Sequence, residues 1–180
     1  MIAVEAIAVI GAGRAGRAFA LACARAGFRV ALEDVMPEKL RRAQDEYAAV
    51  VEQLAGSLRY AMTVEDAVAD ADLAIDFVPD ELESKLEIFS LLDRMAPPRT
   101  ILCTPTNALS ITDLASCTYR AERCVGLRGG SVLGPDVELM RSRFLSAEVE
   151  AAVVRVWGRL GFGLTVGVDV EPMLVKNLAR

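Results

Sequence analysis

Residues 4–16 read Val-Glu-Ala-Ile-Ala-Val-Ile-Gly-Ala-Gly-Arg-Ala-Gly, a short apolar run followed at once by glycines. The glycines fit the spacing G-x-G-x-x-G, and the residues that follow, up to Gly27, have the apolar periodicity of a helix. In a strand–turn–helix setting, the first glycine allows a tight turn, the second lets the backbone approach a pyrophosphate, and the third lets the helix pack closely on the strand. The segment therefore predicts a dinucleotide-binding turn.

The rest of the chain alternates short β-rich runs with amphipathic helical stretches, which is typical of a parallel sheet covered by helices. Predicted strands cover residues 4–10, 29–33, 58–62, 73–78, 100–103, 123–127 and 162–168. A long helix is predicted from Pro37 through Leu54, and capping spacings at Thr63 and Ser110 open two short helices. The order predicts a Rossmann-type, doubly wound α/β domain over residues 1–168, with a mostly parallel sheet and helices on both faces.

An acid at the end of the second strand indicates the cofactor. Asp34 follows the glycine turn at close to the ~20 residues expected for the carboxylate that hydrogen-bonds the adenosine ribose. Glu33 adds a second negative charge, and a 2′-phosphate there would be repelled by about 4 kcal/mol per charge pair at ~4 Å and an effective dielectric of ~20. We therefore predict NAD rather than NADP. The alternative, a similar glycine turn in a domain that binds no nucleotide, stays open.

Composition and charge argue against several other classes of protein. The net charge of −5 disfavours a nucleic-acid-binding surface, and no apolar run reaches the ~18 residues of a membrane span. The first residues lack the basic region of a signal peptide, so we expect a cytoplasmic protein. The four cysteines form no Cys-x-x-Cys pair, which favours buried free thiols over a disulfide framework or a zinc site. Because the chain has no histidine, proton transfer near neutral pH needs another side chain.

From Ile7 onward the sequence resembles the NAD-binding half of 3-hydroxyacyl-CoA dehydrogenases, with matching segments at residues 8–16, 73–82, 109–114 and 125–127. The resemblance implies an NAD-dependent oxidoreductase of the hydroxyacyl or ketoacyl type in fatty acid metabolism. It also implies that Asp80 lies near the nicotinamide ribose and that Lys85 reaches the cofactor. The cofactor-binding residues predicted from the motif and the resemblance are Gly11, Ala12, Gly13, Arg14, Ala15, Gly16, Asp34, Val78, Pro79, Asp80, Lys85 and Asn107.

The sequence departs from the family at the positions that carry the family's chemistry. After the sixth strand the family has a histidine general base, whereas this chain has Arg128, whose guanidinium stays protonated in proteins. The glutamate that orients the family histidine falls near Met140 or Arg141, neither of which accepts a proton. The substrate-binding serine aligns with Asn107, and the preceding asparagine aligns with Pro105. We therefore assign no catalytic residue, and whether the chain is an enzyme stays open.

Other residues offer a replacement base, each with a plainer alternative. Asp136 and Glu138 lie close to the lost glutamate position, although solvent-facing loop acids are the commoner interpretation. Lys176 could act as a lysine of lowered pKa, although a surface lysine on a helix is commoner. Arg128 has two interpretations: it binds a carboxylate or phosphate in bidentate fashion, or it is a surface arginine at a site released from catalysis, which we favour.

Two functions follow from the resemblance and its departures. The first is an oxidoreductase whose missing parts come from altered residues or from another chain. The second is a nucleotide-binding sensor or scaffold subunit without turnover; a fragment of a longer protein is a further alternative.

Residues 169–180 are predicted to be a helical segment that resembles the start of the family's absent second domain. Because this tail and the helix near residues 147–160 would expose apolar faces, we predict a homodimer or completion by another chain. The predicted ligands are a nicotinamide dinucleotide and an acyl-CoA or another small anion, with no nucleic acid and no membrane.

Overall fold

The structure, a computed structural model, describes residues 1–174. The strands are β1 (Ala6–Ile10), β2 (Arg29–Glu33), β3 (Ser57–Ala61), β4 (Leu73–Asp76), β5 (Ile101–Pro105), β6 (Cys124–Arg128), β7 (Glu138–Arg141) and β8 (Thr165–Val168). The helices are α1 (Arg14–Arg25), α2 (Pro37–Tyr47), α3 (Val64–Val68), α4 (Leu82–Met95), α5 (Ile111–Ser116) and α6 (Ala147–Arg159), with short 3₁₀ turns at Val51–Gln53 and Ala121–Arg123.

Within the described residues the strands form one eight-stranded sheet in the order β3-β2-β1-β4-β5-β6-β7-β8. Strands β1 to β6 pair in parallel, β7 runs antiparallel to β6, and β8 runs parallel to β7. From β1 the strand order runs outward through β2 to β3, and from β4 it runs outward in the other direction through β5 to β8. The reversal of strand order therefore lies between β1 and β4. This topology confirms the predicted Rossmann-type α/β fold with a mostly parallel sheet, and such folds bind ligands at this reversal.

Helices cover both faces of the sheet. One core contains the apolar sides of α1, α2 and α6, including Phe19, Leu40 and Trp157. The other contains α3, α4 and α5, including Val68 and Phe89. All residues of β1 and β4 are buried because both faces of these central strands are covered, which explains why they are apolar apart from Asp76.

Side-chain caps fix the starts of the two short helices as predicted. The Thr63 hydroxyl accepts a hydrogen bond from Asp66 N at 3.2 Å at the start of α3, and the Ser110 hydroxyl accepts one from Asp113 N at 3.2 Å at the start of α5. Each cap provides an acceptor for a backbone N–H that the first helical turn leaves free. Three cysteines are buried free thiols and Cys117 is exposed.

Two predicted elements differ in the structure. The helix from Pro37 ends at Tyr47 and not at Leu54, because the chain turns there to bring Gly56 N against Ala24 O at 2.9 Å. A Cβ at Gly56 would lie 2.1 Å from Phe28 O, so tertiary packing at this position decides where the helix stops. The strand β7 was not predicted at all.

The prediction for α6 is corrected as well, and the prediction of a helical tail is tested only as far as Leu174, where a helical residue follows an irregular stretch. The apolar side of α6 is buried in the core, so the expectation that this helix exposes an apolar face is wrong. Residues 169–173 form no helix, and residues 175–180, with Lys176, lie outside the described residues. Instead Asp169 accepts hydrogen bonds from Ser110 Oγ, Ile111 N and Thr112 N at 2.9–3.0 Å, which ties the tail to the start of α5. Within residues 1–174 no helix is both long and apolar enough to cross a membrane.

Candidate dinucleotide site

The glycine turn between β1 and α1 has the geometry that its motif requires. Gly11 has φ +102°, a backbone conformation that favours glycine. A Cβ at Gly16 would lie 1.8 Å from Gly11 O, so this position has no room for a side chain. A Cβ at Gly13 would meet nothing within 4 Å, because this glycine faces open space. The first turn of α1 has no side-chain cap, which leaves its backbone N–H groups directed into that space.

Two cavities flank the turn at the carboxyl ends of the strands. The β2 cavity has a volume of about 400 Å³, and its lining includes Gly11, Glu33 and Asp34. The β6 cavity has a volume of about 410 Å³ and is lined by residues 13–16 together with the loops after β4, β5 and β6. Phe77 and Val78 belong to both cavities, so the two are contiguous over the turn after β4.

Asp34 connects the end of β2 to the glycine turn. Its Oδ2 accepts a hydrogen bond from Ala12 N at 2.9 Å, and its Oδ1 accepts one from Met36 N at 2.9 Å. Lys39 Nζ lies 3.3 Å from Oδ2. These contacts fix the carboxylate in the wall of the β2 cavity with its negative charge partly balanced.

Glu33 has the opposite surroundings, although it precedes Asp34 directly. Its side chain is 3% exposed, and Oε1 has no hydrogen-bond partner among the described residues. Burial, and secondly the charge of Asp34, raise the pKa of the Glu33 carboxyl to about 7. The group therefore changes its charge within the physiological pH range.

A buried ion pair lies beneath the β6 cavity. Lys85 Nζ is 2.8 Å from Asp76 Oδ1, and the two side chains are 1% and 0% exposed. Val78 N also donates to Asp76 Oδ1 at 3.3 Å. Burial raises the pKa of the Asp76 carboxyl, and the Lys85 ammonium opposes this shift. Lys85 lines the cavity as expected of a cofactor residue, but its ammonium is held by Asp76 and is shielded from solvent.

Hydrogen bonds join the loops around the mouth of the β6 cavity. Asp80 Oδ2 accepts from Asn107 N at 2.9 Å. The Asn107 side chain in turn accepts from Gly129 N at 3.1 Å and donates to Gly129 O at 3.4 Å. The structure therefore brings together Asp80 and Asn107, which the sequence analysis selected separately, and adds Gly129 to them.

The position of the expected base is occupied by an arginine at the end of β6. Arg128 is paired across the strands with Glu138 of β7, and its Nε is buried with no hydrogen-bond partner among residues 1–174. Glu138 is half-buried in a strand, so its interpretation as a solvent-facing loop acid is wrong. Asp136 is exposed, and its Oδ2 accepts from Gly130 N at 3.4 Å in the wall of the β6 cavity. Met140 is buried.

An aromatic chain supports the cavities from behind. Phe19 packs against Phe77 with ring centroids 5.8 Å apart and against Trp157 at 5.5 Å. Trp157 Nε1 donates to Val132 O at 2.7 Å, and Val132 lines the β6 cavity. These contacts connect α6 and α1 to both the loop after β4 and the loop after β6.

Asp76, Phe77 and the loop at residues 129–132 were missed in the sequence analysis. Asp76 had a signal, because an acid within an otherwise apolar buried strand needs a partner. Phe77 had none, since an aromatic residue there is indistinguishable from ordinary core packing.

The fold and the two cavities define a dinucleotide-binding domain. The model of the family described as 3-hydroxyacyl-CoA dehydrogenase, NAD binding domain, matches residues 6–157, and the chain belongs to this family. The chain is 33% identical to a probable 3-hydroxybutyryl-CoA dehydrogenase of Bacillus subtilis, over 97% of this chain and 66% of that protein. It is 36% identical to the 3-hydroxyadipyl-CoA dehydrogenase of Escherichia coli, over 71% of this chain and 30% of that protein.

Solved structures agree with this assignment. The 3-hydroxybutyryl-CoA dehydrogenase of Escherichia coli superimposes with a TM-score of 0.83 at 28% identity, over 98% of this chain and 41% of that one. The chain thus spans less than two thirds of the length of these relatives. The predicted family resemblance and the predicted cofactor, NAD, are confirmed.

Proposed function

We propose that this chain is the NAD-binding half of a cytoplasmic oxidoreductase that interconverts hydroxyacyl and ketoacyl thioesters in fatty acid metabolism. The observation that carries the proposal is the pair of contiguous cavities flanking the glycine turn, which share Phe77 and Val78. Their joint extent along the carboxyl edge suits a dinucleotide laid across the reversal of strand order.

The β2 cavity suits the adenosine half of NAD. Asp34 is fixed by two backbone N–H groups, yet a carboxylate has about four acceptor positions, so it can still accept from ribose hydroxyls. Glu33 also belongs to this wall. Val78 and Pro79 form an apolar part of the lining.

The pyrophosphate and nicotinamide are proposed to follow the turn into the β6 cavity. The open face of Gly13 and the free N–H groups of α1, at residues 14–16, attract the phosphates. Asp80 and Asn107, which already hold each other, are placed to orient the nicotinamide ribose. Bound there, NAD supplies a hydride acceptor, and its reduced form supplies a hydride donor.

Transfer of the proton that accompanies the hydride is the step that this site supports least. Arg128 cannot accept it, and the sequence has no imidazole. A positioned general acid or base contributes about 10²–10⁴-fold to rate. We therefore propose that residues 1–174 alone transfer hydride slowly, and that a full rate needs a group from another segment or chain.

We further propose that the domain, residues 1–168, functions as a homodimer or with another chain along its β8 side. Val168 is 86% exposed and Met173 is 76% exposed, which leaves an apolar surface beside an edge strand.

A second candidate function is a nucleotide-binding sensor or scaffold without turnover. Arg128 favours it, because a permanent cation stands where the family has its base. In this case the domain binds NAD and changes its association with a partner, but oxidises and reduces nothing.

One experiment separates these functions. Pure protein at high concentration is mixed with NADH and acetoacetyl-CoA, and NADH consumption is followed beside calorimetric titration of NADH. We expect binding, and slow consumption that requires the thioester and is reduced in a Gly13→Ala control at NADH concentrations below saturation. Binding without consumption would select the sensor alternative, and an absence of binding would overturn both functions.

A further inference from the structure

Arg128 is a half-buried cation without a partner at the end of β6. Its neighbours in the chain, Leu127 and Gly129, both line the β6 cavity. Among residues 1–174 its guanidinium forms no hydrogen bond and no ion pair, and of its nitrogens only Nε is buried, so the two Nη atoms remain accessible. Buried polar atoms in native structures nearly always have a partner. The interpretation of Arg128 as an ordinary surface arginine, which was favoured from the sequence, therefore does not fit its surroundings.

The carboxylates closest to Arg128 in the sheet and in the following loop are directed elsewhere. Glu138 is its cross-strand neighbour, but a Cβ at Gly167 would lie 3.1 Å from Glu138 Oε2, so this carboxylate lies against β8. Asp136 accepts a hydrogen bond from Gly130 N at 3.4 Å through Oδ2, within its own loop. The positive charge of Arg128 is therefore left without a carboxylate of the described residues to balance it.

The segment that follows Arg128 leaves open space in the cavity wall. Gly129 has φ +152°, a conformation that favours glycine. A Cβ at Gly130 would meet only Asp136 Oδ2 within 4 Å, at 3.8 Å. Both glycines line the β6 cavity, and so does Ser131, whose hydroxyl accepts from Leu133 N at 3.2 Å and keeps its own proton for another acceptor. This end of the cavity thus has room and polar donors beside an unpaired cation.

We propose that Arg128 binds a carboxylate of the substrate, a few bonds from the carbonyl that accepts the hydride. The inference rests on the proposed position of the nicotinamide in the β6 cavity. A guanidinium donates two parallel hydrogen bonds to a carboxylate, whereas a neutral thioester would leave it unpaired. The ammonium of Lys85 in the same cavity is already balanced by Asp76. One free positive charge at this end suits a carboxylate better than a phosphate dianion. The substrate is then a ketoacid, or a ketoacyl thioester with a second acid group.

The test uses protein saturated with NAD⁺, which has no hydride to give to a ketone, and measures binding by calorimetric titration. Acetoacetate and its neutral amide, acetoacetamide, probe a free ketoacid. The thioesters 3-ketoadipyl-CoA and 3-ketohexanoyl-CoA differ only by a terminal carboxylate in place of a methyl group, and they probe a second acid group on a thioester. The pair that shows a preference for its charged member identifies the source of the carboxylate.

In the wild type, the charged member of one pair is expected to bind about tenfold more tightly than its neutral counterpart, which corresponds to about 1.4 kcal/mol. Arg128→Gln should abolish this preference while NAD⁺ affinity stays within about twofold. Arg128→Lys keeps the charge without the planar fork and should retain a preference of about threefold. It replaces Arg128→Gln if that variant does not fold by circular dichroism. The control Arg143→Gln removes an exposed arginine after β7 and should leave the preference unchanged.

Several results would overturn the inference. Equal binding within both pairs would remove the carboxylate, although reduction of acetoacetyl-CoA by NADH would still support the proposed function. A preference that persists in Arg128→Gln would assign the carboxylate to another group, and an equal loss in Arg143→Gln would show a general field. A wild type that does not bind NAD⁺ would overturn the position of the nicotinamide as well. An Arg128-dependent preference for acetoacetate without binding of either thioester would instead support the inference and overturn the proposed thioester substrate.

Discussion

Adjacent carboxyl groups at the end of β2 show how strongly position controls a side chain's chemistry. Asp34 accepts from Ala12 N and Met36 N and faces Lys39, so each oxygen has a partner. Glu33 is buried and has an oxygen without a partner among the described residues. The first therefore stabilises the glycine turn, whereas the second is held in the fold at a cost that depends on its protonation.

That cost predicts a dependence of stability on pH. Burial raises the pKa of Glu33 from its ordinary value near 4.5 to about 7 in the folded protein, so the folded state holds the proton more tightly than the unfolded state. The stabilisation from this proton is complete below pH ~4.5 and is lost as pH rises through ~7, by up to about 3 kcal/mol. Glu33→Gln should thus gain stability relative to the wild type over this range.

Urea denaturation at pH 4.5, 6 and 8 checks this expectation. The difference in the free energy of unfolding between Glu33→Gln and the wild type should increase with pH. A difference that stays constant from pH 4.5 to 8 would mean that Glu33 titrates normally in the folded state.

The buried pair of Lys85 and Asp76 predicts a different loss. Lys85→Met leaves the Asp76 carboxylate buried without its cation, which should lower the free energy of unfolding by about 3–5 kcal/mol. The double variant Lys85→Met/Asp76→Asn should recover part of this loss, because the remaining amide is uncharged.

Lys39→Met is the matched control for this prediction. It removes the partner of Asp34, a lysine whose side chain is 45% exposed. The free energy of unfolding should therefore fall by about 1 kcal/mol or less. Chemical denaturation at pH 7 measures all three variants. Equal losses for Lys85→Met and Lys39→Met would contradict the buried character of the first pair.

At the scale of an element, substitutions in the glycine turn should distinguish effects on folding from effects on binding. Gly13→Ala adds a methyl group that meets nothing within 4 Å, at φ −67°, so the variant should fold with nearly unchanged stability. The same methyl group stands where the pyrophosphate is proposed to approach, so NADH affinity should fall at least about tenfold, or about 1.4 kcal/mol.

Gly16→Ala should instead lower the stability of the fold. Its methyl group would overlap Gly11 O at 1.8 Å, so the backbone of α1 or of the turn must shift. Overpacking of this kind costs about 1–3 kcal/mol. Thermal unfolding by circular dichroism together with calorimetric titration distinguishes the variants; normal NADH binding by Gly13→Ala would contradict the proposed approach of the phosphates.

The predictability of the elements depended on how local their determinants are. The strand β1, the glycine turn and the caps at Thr63 and Ser110 follow from neighbouring residues, and all were predictable. The end of α2 was not, because it depends on the packing of Gly56 against Phe28, residues far apart in sequence. The strand β7 was also missed, since it has four residues and follows a turn-like Gly134-Pro135, and only its partner β6 makes it a strand.

In the candidate site as well, some residues were predictable from local sequence and others depend on tertiary contacts. Residues of the glycine turn and Asp34 follow from one motif. The approach of Asp80 to Asn107 depends on the pairing of β4 with β5, which brings their following loops side by side. The partner of Lys85 could not be foreseen from its helix alone, because the ammonium reaches Asp76 on a strand beneath it.

At the scale of the whole molecule, one group of exposed apolar side chains lies along the β8 edge of the sheet. Val166, Val168 and Met173 are exposed along β8 and the segment after it, whereas α6 is packed in the core. We expect a dimer at micromolar concentration, and expect Val168→Lys to shift it towards monomer without loss of secondary structure. Size exclusion with light scattering makes the measurement, and a wild-type monomer would count against the proposed dimer.

The contacts of Trp157 give the protein an optical property of its own. The chain has one tryptophan, so its tryptophan emission comes from a single indole. That indole donates to Val132 O in the wall of the β6 cavity and is joined through Phe19 to Phe77, which borders both cavities. The reduced nicotinamide absorbs light where tryptophan emits, so NADH bound in the β6 cavity should quench this emission by resonance energy transfer. The protein therefore carries an intrinsic spectroscopic reporter beside the proposed nicotinamide site, and no dye or label is needed to follow its occupancy.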